Sequence, residues 1–378
     1  MLSCNLLIPK AGIKQRATFC QNWSVWTGLL LISLANPVTV YGQGLRLLGI
    51  PLDTLLKTKI PRVNPAYITT YYGRLHLYLI SDRQDYALRL RGSDHFILYK
   101  PNLAWTLGMG FDYKWAGTEL TIKLPFLGYN TAQKGKTKPF GISLNINNRR
   151  LWIAGQYQFY RGFYMANPHL LEPDWLANHS MYPYRNDLKS QTLTSHVQYL
   201  FNPLQISIPA SLLQREGQRQ AAGSWVIGSF LTYQRIHADS ALVPLALLTD
   251  FQNTSSLQGV SSWALGVDGG YMQTVVLGKY YFINMSLRPG LSILVTQTKF
   301  TNQSPQTHLG LGWQGLASLT LGYSTDRYYG GIYASAAWLN RAFRNEFLRT
   351  DTDYIRLVAG KRLRYRPKGM IKKLPGMQ

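Results

Sequence analysis

Bulky side chains fall on every odd position of NLAWTLGMGFDYKW, residues 102 to 115: Leu103, Trp105, Leu107, Met109, Phe111, Tyr113 and Trp115. The even positions hold Ala104, Thr106, Gly108, Gly110, Asp112 and Lys114. A period of two belongs to a strand, because successive side chains point to opposite faces, whereas a helix would scatter these residues around its circumference. The alternation recurs along the chain. In 71–81, Leu75, Leu77 and Leu79 oppose Arg74, His76 and Tyr78; in 85–92, Tyr86, Leu88 and Leu90 oppose Arg89 and Arg91. It continues at 117–126, with Leu120, Ile122 and Leu124 against Thr121 and Lys123, and at 140–147, with Phe140, Ile142 and Leu144 against Gly141 and Ser143. At 151–160, Leu151, Ile153, Tyr157 and Phe159 face away from Gln156 and Gln158.

Further strands are predicted at 191–201, 205–214, 223–236, 262–273, 278–297, 308–323, 327–340 and 353–367. The last sets Ile355, Leu357, Ala359, Leu363 and Tyr365 against Tyr354, Arg356, Arg362 and Arg364. Within 278–297, Pro289-Gly290 predicts a turn or a kink. Residues 162–189, rich in Asn, Pro, His, Trp and Tyr, read as a long outer loop. No stretch of helical period and no repeat of domain-building length interrupts the series.

Alternation alone fits a soluble sandwich as well as a membrane barrel. Aromatic residues at both ends of strand 102–115 favour the barrel, whose wall carries girdles at the two interfaces. The N-terminus points the same way. Residues 1–26 carry Lys10, Lys14 and Arg16 and no acid, the uncharged apolar stretch WTGLLLISLANPVTV follows at 26–40, and small Gly42 stands just beyond. That is the plan of a secretory signal. Asn36 and Pro37 interrupt the stretch, which falls short of the ~20 apolar residues of a membrane-spanning helix. Both cysteines, Cys4 and Cys20, lie in the leader, so the exported chain is expected to carry no disulfide.

Composition sharpens this picture. Tyr numbers 25, Trp 10 and Gly 33, which are strand and girdle formers. A formal charge of +23 makes nucleic acid the first partner to consider. Export removes the chain from nucleic acid, leaving an anionic lipid surface or an anion-lined solute path. The expected fold is therefore all-β: a transmembrane antiparallel β-barrel of about twelve strands, within a range of ten to fourteen, in the bacterial outer membrane. Its plan is a leader at 1–42, a periplasmic lead-in at 43–66, the barrel at 67–366 and a basic tail at 367–378.

Three stretches carry a family resemblance. AYITTYYGRLHLYLISDR (66–83), ILYKPNLAWTLGMGFDYKW (97–115) and GTELTIKLPF (117–126) resemble the opening of the bacterial family known as domain of unknown function 4421. IPASLLQREGQRQAAGSWVIGSF (208–230), a Gln-rich turn leading into a Ser- and Gly-rich strand, resembles its middle motif, and GVDGGYMQTVVLGKYYFINMSLRPG (266–290) its later one. The resemblance implies a Gram-negative outer-membrane barrel, inserted by the barrel-assembly machinery, and brings no catalytic residue with it. Tyr99 to Asn102 is its sharpest marker, read as a tight turn in which Pro101 fixes φ and Asn102 tolerates turn geometry.

Chemistry is sparse. GYSTD (322–326) resembles a nucleophile elbow until Asp326 stands where glycine is wanted. None of the seven histidines sits in a motif that names a partner. His169, Glu172 and Asp174 share one loop, whose commoner meaning is a solvated polar segment. No enzyme activity, metal or cofactor is expected. Charge is the remaining signal: Arg89, Arg91, Lys123, Arg356, Arg362 and Arg364 take polar strand faces and are candidate lumen cations. Two functional readings stay open for this expected monomer. One is a passive pore favouring small anionic solutes. The other is a non-conducting structural or assembly barrel that binds envelope partners or anionic lipid through 162–189 and the basic tail.

Overall fold

The computed structural model describes residues 63–366, apart from isolated positions in turns and connections, together with a short ladder of β1 (Arg46–Leu47) on β2 (Ile50–Pro51). The leader, most of the lead-in and the tail 367–378 lie outside the described residues. After β3 (Ile68–Thr70) come β4 (Arg74–Arg91), β5 (Phe96–Lys100), β6 (Thr106–Tyr113), β7 (Ala116–Lys123), β8 (Lys138–Asn147) and β9 (Leu151–Met165). β10 (Tyr184–Leu200), β11 (Glu216–Gln218), β12 (Ala222–His237) and β13 (Leu257–Leu277) follow. The series ends with β14 (Tyr281–Phe300), β15 (Gln306–Ser324), β16 (Tyr328–Phe343) and β17 (Glu346–Arg364).

Neighbouring strands pair antiparallel, and β17 pairs back onto β4 along its length, from Phe347 opposite Arg91 to Arg364 opposite Arg74. The ring closes through β5, which joins the outer end of β4 to the outer end of β9. Ten strands thus form the ring, and β6, β7 and β8 lie off it. β6 and β7 extend the wall from the lower half of β4, and β8 extends it from β9. Closure pairs both sides of the ring at its outer end and so removes free edges there, which lipid would not tolerate. Among the described residues no ladder joins β7 to β8.

β14 shows why these residues make a membrane wall. Its even positions are all buried toward the interior, and its odd positions face outward and are exposed except half-buried Ile283, from Tyr281 to Phe300. The outward set from Tyr281 to Val295 is Tyr, Ile, Met, Leu, Pro, Leu, Ile and Val. On β15, Leu309 and Leu311 are 76 % and 79 % exposed on the same outer surface. Water would penalise such a belt, whereas hydrocarbon accepts it. Rings border it on both sides: Trp225 against Tyr271 at 5.2 Å and Tyr281 against Tyr323 at 5.1 Å toward the chain ends, and Tyr233 against Trp263 at 4.6 Å toward the other rim.

Several sequence expectations need correction. The runs 71–81 and 85–92 form one strand, β4. Over its described residues the predicted strand 205–214 is instead a turn leading into a one-turn helix, Ile208–Leu212, where Pro209 withholds a ladder N–H. Pro289-Gly290 makes no turn. β14 runs through it, and the proline falls where the β13 ladder passes from Asp268–Gly290 to Tyr271–Leu287. The long loop is shorter than 162–189, spanning 166–183, because β9 continues to Met165 and β10 begins at Tyr184. Gly162 bends β9 with φ 89°, where a Cβ would meet Lys136 O and Tyr184 Oη at 2.6 Å each. The ladder to β10 shifts register there, and Phe163 turns inward.

Candidate functional site: the lumen, its two closures and the outer wall

The interior is layered. At the outer rim, Tyr86, Leu88 and Leu90 of β4, Phe163 of β9 and Leu188 of β10 point inward. They meet Leu242, Val243, Leu247 and Phe251, which the β12–β13 connection folds into the mouth of the barrel. Phe251 is 0 % exposed. Tyr99 donates to Leu242 O at 2.7 Å, and His95 Nδ1 lies 2.7 Å from Asp250, so the connection is pinned from β5 and from the turn before it. The inward-folded loop is therefore 238–256; of 162–189, Phe163, Met165 and Leu188 join this core from the strand ends, and the loop 166–183 itself adds Leu170 and Leu171 at its margin.

Below this apolar layer runs a network of polar side chains. Tyr86 Oη lies 2.7 Å from Ser190 Oγ and accepts from Gln234 Nε2 at 3.0 Å. Thr350 donates to Gln234 Oε1 at 3.0 Å and accepts from Arg341 Nη1 at 2.9 Å. Arg341 is 1 % exposed. Deeper still, His196 Nε2 lies 2.5 Å from Asp268 and its Nδ1 accepts from Gln198 Nε2 at 2.7 Å, while Arg288 stands 3.7 Å from the other Asp268 oxygen. Tyr78 donates to Glu119 at 2.9 Å, and Arg356 pairs with the same carboxylate.

The end nearer the chain termini is closed differently. Residues 201–221 fold into the lumen and place Ile206 and Ile208 against inward Val226 and Met272. β11 in this segment pairs with β3. Arg215 of the segment pairs with Asp112 of β6, and Arg149 of the β8–β9 turn lies 2.6 Å from Glu216. Burial pushes the Glu216 carboxyl above its usual value, outweighing the opposite pull of Arg149 and of the Ser207 hydroxyl. Burial likewise lowers Arg149 from the ordinary guanidinium value.

Each sequence candidate has a definite place. Arg356 is on the lumen face and paired, as above. Arg362 is buried, with its guanidinium 4.0 Å from the Tyr71 ring and 4.4 Å from the Tyr329 ring, and donates to Ser324 Oγ at 3.0 Å. Lys123 shares the face of Glu119 and is exposed. Arg364 stands opposite Arg74 at the lower rim, also exposed. Arg89 and Arg91 are not lumen cations. Tyr86, Leu88 and Leu90 take the inner face because the folded-in loop makes that face apolar, so the arginines are turned outward. Arg89 lies 2.7 Å from Asp351, which Arg349 shares at 2.5 Å.

Other motifs find structural work. Asn102 is buried, and its side chain donates to Asn130 O at 3.0 Å and Gly135 O at 2.8 Å, stapling the β7–β8 connection. Ser324, central to GYSTD, accepts from Arg362. Glu172 lies 3.8 Å from His179, and Trp175 stacks on that imidazole at 3.9 Å. Sequence reasoning missed the His196–Asp268–Arg288 cluster, whose members are far apart along the chain. Only the barrel register brings them together.

Closed ladders, an outward apolar belt and inward polar layers define a β-barrel of the outer-membrane type. The family model for the domain of unknown function 4421 (DUF4421) matches residues 53–354, and the chain belongs to that family. No curated protein matches it. Among solved structures, the translocator domain of the autotransporter NalP from Neisseria meningitidis is 11 % identical, with 90 % of this chain and 96 % of that chain covered and a TM-score of 0.30. The toluene transporter TodX of Pseudomonas putida is 6 % identical over 80 % of this chain and 90 % of that one, with a TM-score of 0.25. CdiB from Acinetobacter baumannii is 9 % identical over 75 % and 60 %, with a TM-score of 0.23. Scores this low carry no argument about what the protein does, and the barrel stands on its own ladders.

Proposed function

We propose that this barrel sits in the bacterial outer membrane and does not conduct, serving as a structural or assembly component of the envelope. One observation carries the reading: the β12–β13 connection places Leu242, Leu247 and Phe251 inside the outer mouth, on inward Tyr86, Leu88, Leu90 and Phe163. An open pore lines its lumen with water-facing polar groups. Here the mouth is an apolar core, the layers beneath it are bonded to one another, and the segment 201–221 occupies the other end. The anion-pore reading has less support, because Arg89 and Arg91 face outward, Arg356 is neutralised by Glu119 and Arg362 is held between rings. Outer-membrane placement is supported by the apolar belt and by the secretory plan of the leader.

The deciding experiment is single-channel recording across a planar bilayer with heat-modifiable, folded protein under a salt gradient. Silence is expected. Discrete current steps from the folded protein overturn the reading, and a reversal potential favouring anions would restore the pore.

A further inference from the structure

One row of directly opposed residues crosses the outer wall above the apolar belt. Lys138 on β8 faces Arg161 on β9, Arg161 faces Lys189 on β10, and Lys189 faces His237 on β12. The row continues through Gly259 on β13 to Lys299 on β14. These are outward positions: on β12 and β14 the adjacent Ile236 and Phe300 are buried, whereas Arg235 and Lys299 are exposed. Two residues toward the membrane the outward set is Phe140, Phe159, Gln191, Arg235, Ser261 and Gln297. Two further on, it is the top of the apolar belt: Ile142, Tyr157, Leu193, Tyr233, Trp263 and Val295.

Like charges directly opposite one another on a sheet destabilise it. Lys138, Arg161 and Lys189 nevertheless stand on three successive strands, about 10 Å from first to last at the ordinary strand spacing. Among the described residues, none of these three, nor Arg235 or Lys299, makes an ion pair. Of the acids beside the row in sequence, Asp187 is held by Arg185 at 2.8 Å and Asp239 is exposed in the loop after His237. The row lies at the end of the barrel opposite Arg74 and Arg364, where the chain enters and leaves the wall. In an outer-membrane barrel whose chain ends are periplasmic, that is the headgroup level of the outer leaflet.

We infer that this row binds the phosphate-bearing headgroups of outer-leaflet lipid, with the acyl chains lying on the belt beneath. The cations supply charge for phosphates that the wall itself leaves uncompensated. The apolar neighbours favour a lipid over a free anion: Phe140, 58 % exposed, and Phe159 stand directly beneath Lys138 and Arg161, where acyl chains pass and a free phosphate has no contact to make. The inference rests on the membrane placement proposed above and is independent of whether the lumen conducts.

The test uses the full chain in phosphatidylcholine nanodiscs doped with lipid A, a phosphorylated glycolipid, and counts lipid A retained after detergent extraction by native mass spectrometry. The variant Lys138→Gln/Arg161→Gln/Lys189→Gln is compared with Lys279→Gln/Lys361→Gln, two exposed cations at the opposite end. Retention is expected to fall at least about tenfold in the row variant and to stay at the wild-type level in the control. Heat-modifiable mobility verifies folding, and the single variant Arg161→Gln serves if the triple variant does not fold. Wild-type retention by the row variant overturns the inference, as does an equal loss in the control. Displacement of lipid A by inorganic phosphate alone also overturns it, by making the row a free-anion site. Failure of the wild-type chain to co-elute with nanodiscs is a different result, which removes the membrane placement itself.

Discussion

Tyr86 Oη and Ser190 Oγ meet at 2.7 Å, joining β4 to β10 across the two ring strands, β5 and β9, that separate them. The bond belongs to a chain that runs through Gln234 and Thr350 to Arg341. Replacing Tyr86 by Phe keeps the ring against Tyr160 and Phe163 but takes the Tyr86 hydroxyl from Ser190 Oγ and leaves Gln234 Nε2 only its other acceptor, Thr192 Oγ1. A buried polar group so orphaned costs about 1–3 kcal/mol. Tyr86→Phe is expected to lower the unfolding free energy of the barrel in micelles, measured by urea titration, by that amount, and Ser190→Ala added to it should cost less than it does alone. Strict additivity would show that the two hydroxyls do not bond.

Asp268 is the counter-charge of two cationic or potentially cationic groups, His196 and Arg288, in the middle of the lumen. Both Asp268 and Arg288 are almost wholly buried. Asp268→Asn leaves the guanidinium without compensation, and breaking a buried pair from one side costs about 3–5 kcal/mol. Arg288→Met in the same background should recover most of that loss, because it removes the stranded charge. Chemical unfolding of the single and double variants measures both. A double variant no more stable than Asp268→Asn would mean that water already reaches Arg288.

The wall was legible in the sequence and the interior was not, for a physical reason. In β14 the apolar residues face lipid, so alternation gives the right orientation directly. In the upper half of β4 the apolar residues Tyr86, Leu88 and Leu90 face inward, because Phe251 and Leu247 arrive there from a loop some 160 residues later in the chain. Period two says which residues share a face, but not whether lipid or a folded-in loop covers it. The plug at 201–221 was hidden similarly, since Ile206 and Ile208 alternate like a strand until Pro209. His196 and Asp268 are 72 positions apart, and Lys138, Arg161, Lys189 and Lys299 are single residues on separate strands. Register aligns them, and register is not written in any one segment.

The belt makes a depth-dependent prediction. Leu291 is 69 % exposed midway along the outer face of β14, and Gln297 lies on the same face beyond Val295. Arginine at the midplane of a barrel wall costs about 2–4 kcal/mol, falling toward 0–1 near the interface. Leu291→Arg should therefore destabilise refolding into lipid vesicles by several kcal/mol, and Gln297→Arg should change it little. Equal effects would mean that the exposed residues of β14 do not contact hydrocarbon.

Glu216 couples the closure near the chain ends to pH. Its carboxyl is raised by burial from the ordinary 4.5, so the folded state binds the proton more tightly than the unfolded chain does. Stabilisation is then present in full below the unfolded value and is lost as pH rises through the raised one. The segment 201–221 should resist proteolysis better on the acid side of that window. Glu216→Gln is expected to flatten the dependence while keeping an acceptor for Ser207. A profile unchanged by the substitution would assign the titration to another group.

β7 and β8 should be the least protected part of the wall. β14 is bonded on both sides, by long ladders to β13 and β15, whereas β7 is bonded only to β6 and β8 only to β9 among the described residues. Thr118–Lys123 and Gly141–Leu144 are exposed on both faces, so neither strand gains the alternating burial that holds β14. Amides in such edges open at far lower free energy than those of core strands. Hydrogen–deuterium exchange in nanodiscs is expected to label 116–123 and 138–147 well before 281–300. An unpaired edge facing hydrocarbon is expensive, so a membrane could instead drive the two edges together. Protection of β7 and β8 equal to that of β14 would show that the seam is zipped in lipid. Rapid exchange would mean that the seam between β7 and β8 stays open to the bilayer.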